Sequence, residues 1–138
     1  MNTREYGRLG EKSAAEYLES KGYTIVGMNV QVGHDEIDVV AENKDYVVFA
    51  EVKTRRQRPD GNPLYGTPAS AVDETKQNNL VRAAEKYILL HGSQKSPRID
   101  VIEVYADPTS EEYKVLEIRH FENAVTKRGK FSRNPRRK

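Results

Sequence analysis

Cysteine is absent from all 138 residues. That excludes disulfides, thiolate zinc sites and a cysteine nucleophile, and it suits a reducing compartment. No run approaches the roughly 18 apolar residues of a membrane span, so no membrane partner is expected. The opening residues, Met1 to Gly7, lack the apolar stretch of a secretory signal, which makes a cytoplasmic location the expectation. A glycine-rich phosphate loop, a serine-hydrolase signature and an internal repeat are missing too. The three histidines, His34, His91 and His120, have no spacing that suggests a shared metal, and each reads as a surface residue.

The last twelve residues are basic and lack acid. Residues 127–138 hold Lys127, Arg128, Lys130, Arg133, Arg136, Arg137 and Lys138 with no Asp or Glu, although the whole chain is only +2. Setting those seven aside leaves 16 basic against 21 acidic groups, a body of net charge about −5. The length suits one domain with one core, residues 1–126. Residues 127–138 then read as a basic, flexible tail, of a kind that binds nucleic acid or merely solubilises a chain end.

What is present falls into seven elements. Apolar residues near helical spacing predict a helix over Arg4 to Lys21, with Gly22 ending it, and Glu11 lies on or beside the apolar stripe. Tyr23 to Val32 reads as a strand turning at Gly33. Two runs rich in Val, Ile, Phe and Tyr, before and after Asn43, Lys44 and Asp45, predict a β-hairpin. Thr54 to Pro68 reads as a loop, Asp73 to His91 as a second helix closed by Gly92, and Arg98 to Tyr105 and Tyr113 to His120 as two more strands. A short helical turn is expected around Glu122 to Val125.

The hairpin carries the chemistry. Side chains alternate faces along a strand, so Val47, Phe49, Glu51 and Lys53 share one face and Val48, Ala50 and Val52 the other. In a hairpin with loop 43–44 the paired residue numbers sum to 87, and with loop 43–46 they sum to 89. Either register puts Asp38 on the face of Glu51 and Lys53, opposite Phe49 or opposite Glu51. Cross-strand neighbours lie roughly 5 Å apart, so Asp38 and Glu51 are placed to hold one small cation. Mg²⁺ or Mn²⁺ takes one or two carboxylates, keeps waters and accepts phosphate oxygens, and a neighbouring lysine stabilises charge developing at phosphorus. The competing reading is an ordinary solvated ion-pair cluster. Arg55, Arg56 and Arg58, just beyond Lys53, are placed at the mouth of such a site, and Lys76 faces either substrate or solvent.

The element order, with an acid on one strand and an acid-x-Lys pair on the next, resembles the restriction-endonuclease-like nucleases. More closely, the chain is similar to the YraN-like family of small bacterial proteins, which resemble archaeal Holliday junction resolvases. The resemblance covers most of residues 7–125. It rests on Gly10-Glu11 with Ala14, Ala15 and Leu18; Gly22-Tyr23 with Ile25 and Asn29; Glu36-Ile37-Asp38; Phe49 to Arg55; Gly66-x-Pro68; Lys76; and Arg98 to Val101. It implies an α/β fold, a single mixed sheet of about five strands in the order α-β-β-β-α-β-β. Glu11, Asp38, Glu51 and Lys53 fall on the resolvases' metal and catalytic positions. Asp35 stands where the family usually has Gly, and the Gln-x-x-x-Tyr motif of RecB-type nucleases is missing.

Three readings follow. The first is a Mg²⁺- or Mn²⁺-dependent endonuclease acting on DNA, branched or single-stranded, with Arg55, Arg56, Arg58, Lys76 and the tail contacting nucleic acid. The second is a nucleic-acid-binding module that keeps the fold without turnover, and the third is a non-enzymatic interaction protein. Symmetric cutting of two strands would call for a homodimer, whose surface no stretch of the sequence identifies.

Overall fold

A computed structural model describes residues 2–58 and 73–126. The elements are α1 (Thr3–Ser20), β1 (Thr24–Val32), β2 (Asp35–Glu42), β3 (Tyr46–Arg55), α2 (Glu74–His91), β4 (Ser96–Ala106) and β5 (Val115–Phe121). The five strands form one sheet in chain order, antiparallel except for β3 and β4, which run parallel across the connection that contains α2. This is the expected mixed sheet with flanking helices.

Local chemistry sets the helix ends. The Asn2 side chain accepts from the Glu5 amide at 2.8 Å, while the Glu5 carboxylate takes the Asn2 amide at 3.1 Å, a reciprocal cap that satisfies donors the first turn would leave bare. Asp73 caps α2 by accepting from the Lys76 amide at 2.8 Å. Gly92 ends that helix at φ 62°, where a Cβ would be strained.

The helices cover opposite faces. Leu80, Ala83, Ala84 and Tyr87 of α2 pack with Val40, Val47, Phe49, Ile99 and Val101. Ala14 and Leu18 of α1 pack with Val39, Ala41, Ala50, Ile102 and Val104. Strand alternation thus sends odd-numbered residues of β3 and β4 to α2 and even-numbered ones to α1. Gly10 fixes how closely α1 approaches, because a Cβ there would lie 1.9 Å from the Thr54 hydroxyl.

Two of the departures from expectation have a plain physical cause. Thr54 and Arg55 belong to β3 rather than to a loop, since parallel pairing continues through Thr54↔Val104 and Arg55↔Tyr105. The helical turn expected around Glu122 is a plain turn, because the Ala124 amide bonds to the Ile99 carbonyl of β4 at 2.8 Å. The rest of the expected loop, from residue 59, and the tail at 127–138 lie outside the described residues.

Candidate metal centre at a fork in the sheet

Asn43 shapes the β2–β3 turn, its side-chain oxygen accepting from the amides of Asp45 at 3.0 Å and Tyr46 at 2.7 Å. The register it sets runs from Glu42↔Val47 to Val39↔Ala50, the one whose pairs sum to 89. There the two strands part. β2 stays paired with β1 as far as Asp35, and β3 stays paired with β4 as far as Arg55. In place of the next rung, Oδ2 of Asp38 accepts from the Val52 amide at 2.8 Å.

Asp38 and Glu51 therefore meet at the fork, on the α2 face, at the end of the stripe formed by Val40, Val47 and Phe49. Glu51 is 4% exposed. The Lys53 ammonium is 3.6 Å from its Oε2, and the ammonium of Lys76, reaching down from α2, is 3.7 Å from its Oε1. Among the described residues that buried Oε1 has no hydrogen-bond partner. Leaving a buried acceptor unbonded costs about 1–3 kcal/mol. Burial first, and then the Glu51 charge, push the Asp38 carboxyl up to about 7, against the pull of the Val52 amide and Lys76.

Glu11 lies on α1, which packs on the face of the sheet opposite α2. Asn29 Nδ2 donates to its Oε1 at 2.9 Å, and Asn29 adopts φ 48°, unusual for a residue with a Cβ. Burial raises the Glu11 carboxyl, the Asn29 bond opposes the rise, and the charges of Asp38 and Glu36 add to it. Asp35, the departure from the family pattern, turns toward α2 and is held by Arg82 through bonds of 3.2 and 3.1 Å.

The donor set suits a hard dication. Among the described residues no group of three or more His, Asp and Glu is gathered tightly enough to hold a metal alone. Two carboxylates at a partly open fork are what Mg²⁺ or Mn²⁺ uses when water and phosphate complete the shell. A cation there would also satisfy Glu51 Oε1 and favour ionised Asp38.

The expected nucleic-acid contacts divide. Arg55 is mostly buried in β3, on the face of Glu51 and Lys53, with its guanidinium 3.8 Å from the carboxylate of Glu103. Arg56 is exposed and lies over the Tyr6 ring at 4.6 Å, and Arg58 is exposed with Asp107 at 3.8 Å. Lys127, Arg128, Lys130, Arg133, Arg136, Arg137 and Lys138 lie outside the described residues.

One histidine was misplaced by the sequence reading. His120 is not a surface residue: its Nε2 lies 2.7 Å from buried Asp100 and its Nδ1 3.2 Å from the Tyr17 hydroxyl. Arg98 grips the same carboxylate with two bonds of 2.9 Å. Burial works against the ionised Asp100, but His120, Arg98 and the Asn123 amide outweigh it and hold the carboxyl below its ordinary value. The signal was available: Asp100 and Glu103 interrupt the otherwise apolar run from Ile99 to Ala106, and both are buried.

Fold and site together define a three-layer α/β domain with a carboxylate and lysine cluster where its sheet divides. The family model described as Uncharacterised protein family UPF0102 matches residues 10–104, and the chain belongs to that family. A UPF0102 protein of Symbiobacterium thermophilum is 44% identical over 107 residues, covering 77% of this chain and 86% of the relative. One from Caldanaerobacter subterraneus subsp. tengcongensis is 40% identical over 125 residues, covering 90% and 97%. Among solved structures, Pyrococcus furiosus SfsA in complex with Ca²⁺ is similar at TM-score 0.42 and 15% identity, over 91% of this chain and 66% of that one. No helix of the described residues is long and apolar enough to cross a membrane.

Proposed function

We propose that the chain is a Mg²⁺- or Mn²⁺-dependent endonuclease that hydrolyses phosphodiester bonds in DNA, with branched and single-stranded DNA the first substrates to try. One observation carries the reading. Two carboxyl groups, Asp38 and Glu51, are set together at the end of an apolar stripe, an arrangement that burial and mutual repulsion disfavour unless a cation joins them. The YraN-like resemblance supports it by aligning Glu11, Asp38, Glu51 and Lys53 with resolvase positions.

Asp38 and Glu51 would hold the metal. Bound there, it would polarise a phosphoryl oxygen and lower the pKa of a bound water. Lys53 shares the Glu51 face, and its half-buried ammonium stabilises charge developing at phosphorus. Glu11, held by Asn29, adds negative charge near Asp38. Arg56, Arg58 and the basic tail are the groups assigned to phosphates away from the scissile one.

The test is cleavage of labelled branched, single-stranded and duplex DNA in Mn²⁺ by wild type, Asp38→Asn and Glu51→Gln. Cutting by wild type and loss of at least about a hundredfold in either variant, with melting curves intact, is expected. A folded wild type that cuts none of these with either metal leaves the reading to the inactive binding module.

A further inference from the structure

Lys76 is oddly placed for a lysine. It is the third residue of α2, after the Asp73 cap, where the positive end of the helix dipole disfavours a cation. What offsets this is Glu51, whose Oε1 lies 3.7 Å from the ammonium. A divalent ion held by Asp38 and Glu51 would draw on the same carboxylate. A dication there would repel the ammonium and take up much of the negative charge that holds it, so the two compete for Glu51.

We infer that Lys76 competes with the divalent cation for Glu51, and that metal entry drives its ammonium off the carboxylate and toward incoming phosphate. The inference rests on the metal reading above and assigns to Lys76 a part in setting metal affinity. Lys53 is the poorer candidate for displacement. It sits two residues from Glu51 on the same strand face with a side chain 32% exposed, whereas that of Lys76 is 40% exposed. Lys76 also has somewhere to go. A cavity of about 180 Å³ lies beside it, lined by His34, Asp35, Glu36, Asn79 and Leu80. This cavity opens between the start of α2 and the strand carrying Asp38.

The experiment follows the electron paramagnetic resonance signal of free Mn²⁺ during titration of wild type, Lys76→Met and Lys76→Arg. It is run at about pH 8.5, above the Asp38 value, because removing Lys76 also strengthens proton binding at Asp38, which would oppose the metal at lower pH. Lys76→Met should bind Mn²⁺ about five- to tenfold more tightly, since one repelling charge is gone. Lys76→Arg, which keeps the charge, should stay within about twofold of wild type. On DNA, Lys76→Met should raise KM more than it changes kcat. Equal or weaker Mn²⁺ binding by folded Lys76→Met, with wild type binding the metal, overturns this inference and leaves the metal centre standing. No Mn²⁺ uptake by any of the three overturns the metal centre and this inference with it.

Discussion

Asp38 bears the consequence of setting two carboxyl groups at one end of an apolar stripe. Its carboxyl is raised from 3.8 to about 7, so the folded state keeps a proton that the unfolded chain releases near its ordinary value. Between those values stability falls as pH rises, and above about 7 the penalty is complete. Asp38→Asn removes the ionisation and keeps an oxygen for the Val52 amide. Without metal the variant should be more stable than wild type by about 2 kcal/mol at pH 8, less than the full shift because the amide that replaces the carboxyl is itself buried. The gain should vanish toward pH 4. Urea melts at both pH values in the presence of a chelator measure it, and a variant no more stable at pH 8 would mean the two acids do not oppose each other.

At the scale of elements, the fork depends on how near α1 lies to β3. Gly10 permits the contact, and through it Glu11 is carried toward the fork. Gly10→Ala brings a methyl group to 1.9 Å from Thr54 Oγ1 and 3.1 Å from its Cβ, so rotating Thr54 does not clear the clash and the helix must move outward. Destabilisation of about 1–3 kcal/mol is expected, partly recovered in Gly10→Ala with Thr54→Ala. Chemical denaturation midpoints of the single and double variants decide it, and an unshifted Gly10→Ala midpoint would refute the close approach. The elements themselves were legible in the sequence, since apolar spacing marked both helices and the parity of the hairpin put Asp38 with Glu51 for either even loop. Which face each helix covers was not legible, because periodicity shows that a helix has an apolar side without saying which side of a sheet it meets. His120 was misread for a related reason: its partner Asp100 lies on another strand, 20 residues away.

On the scale of the whole molecule, charge separates body from tail. The body is acidic by about five charges once residues 127–138 are set aside. Much of any nucleic-acid affinity should then come from those seven basic groups, through phosphate contacts with no sequence preference. Each phosphate neutralised on duplex DNA contributes about 0.9 to the slope of log affinity against log salt, which sets a ceiling of about 6 on the tail's share. A chain ending at Thr126 should bind DNA more weakly and with a flatter salt dependence. Equal affinity and slope in both forms, read by fluorescence anisotropy, would assign binding to the body around Arg56 and Arg58.

Because the tail is remote in sequence from Asp38 and Glu51, its loss should leave metal uptake alone, and metal uptake is the claim on which the functional reading stands. Calorimetric titration of Mn²⁺ into wild type and Asp38→Asn at about pH 8.5, where Asp38 is ionised, tests it most directly. Saturable heat from wild type at about one ion per chain, absent or weakened at least about tenfold in Asp38→Asn, is the predicted result. Identical heats from the two proteins would contradict it and return Asp38, Glu51 and Lys53 to an ordinary ion-pair cluster.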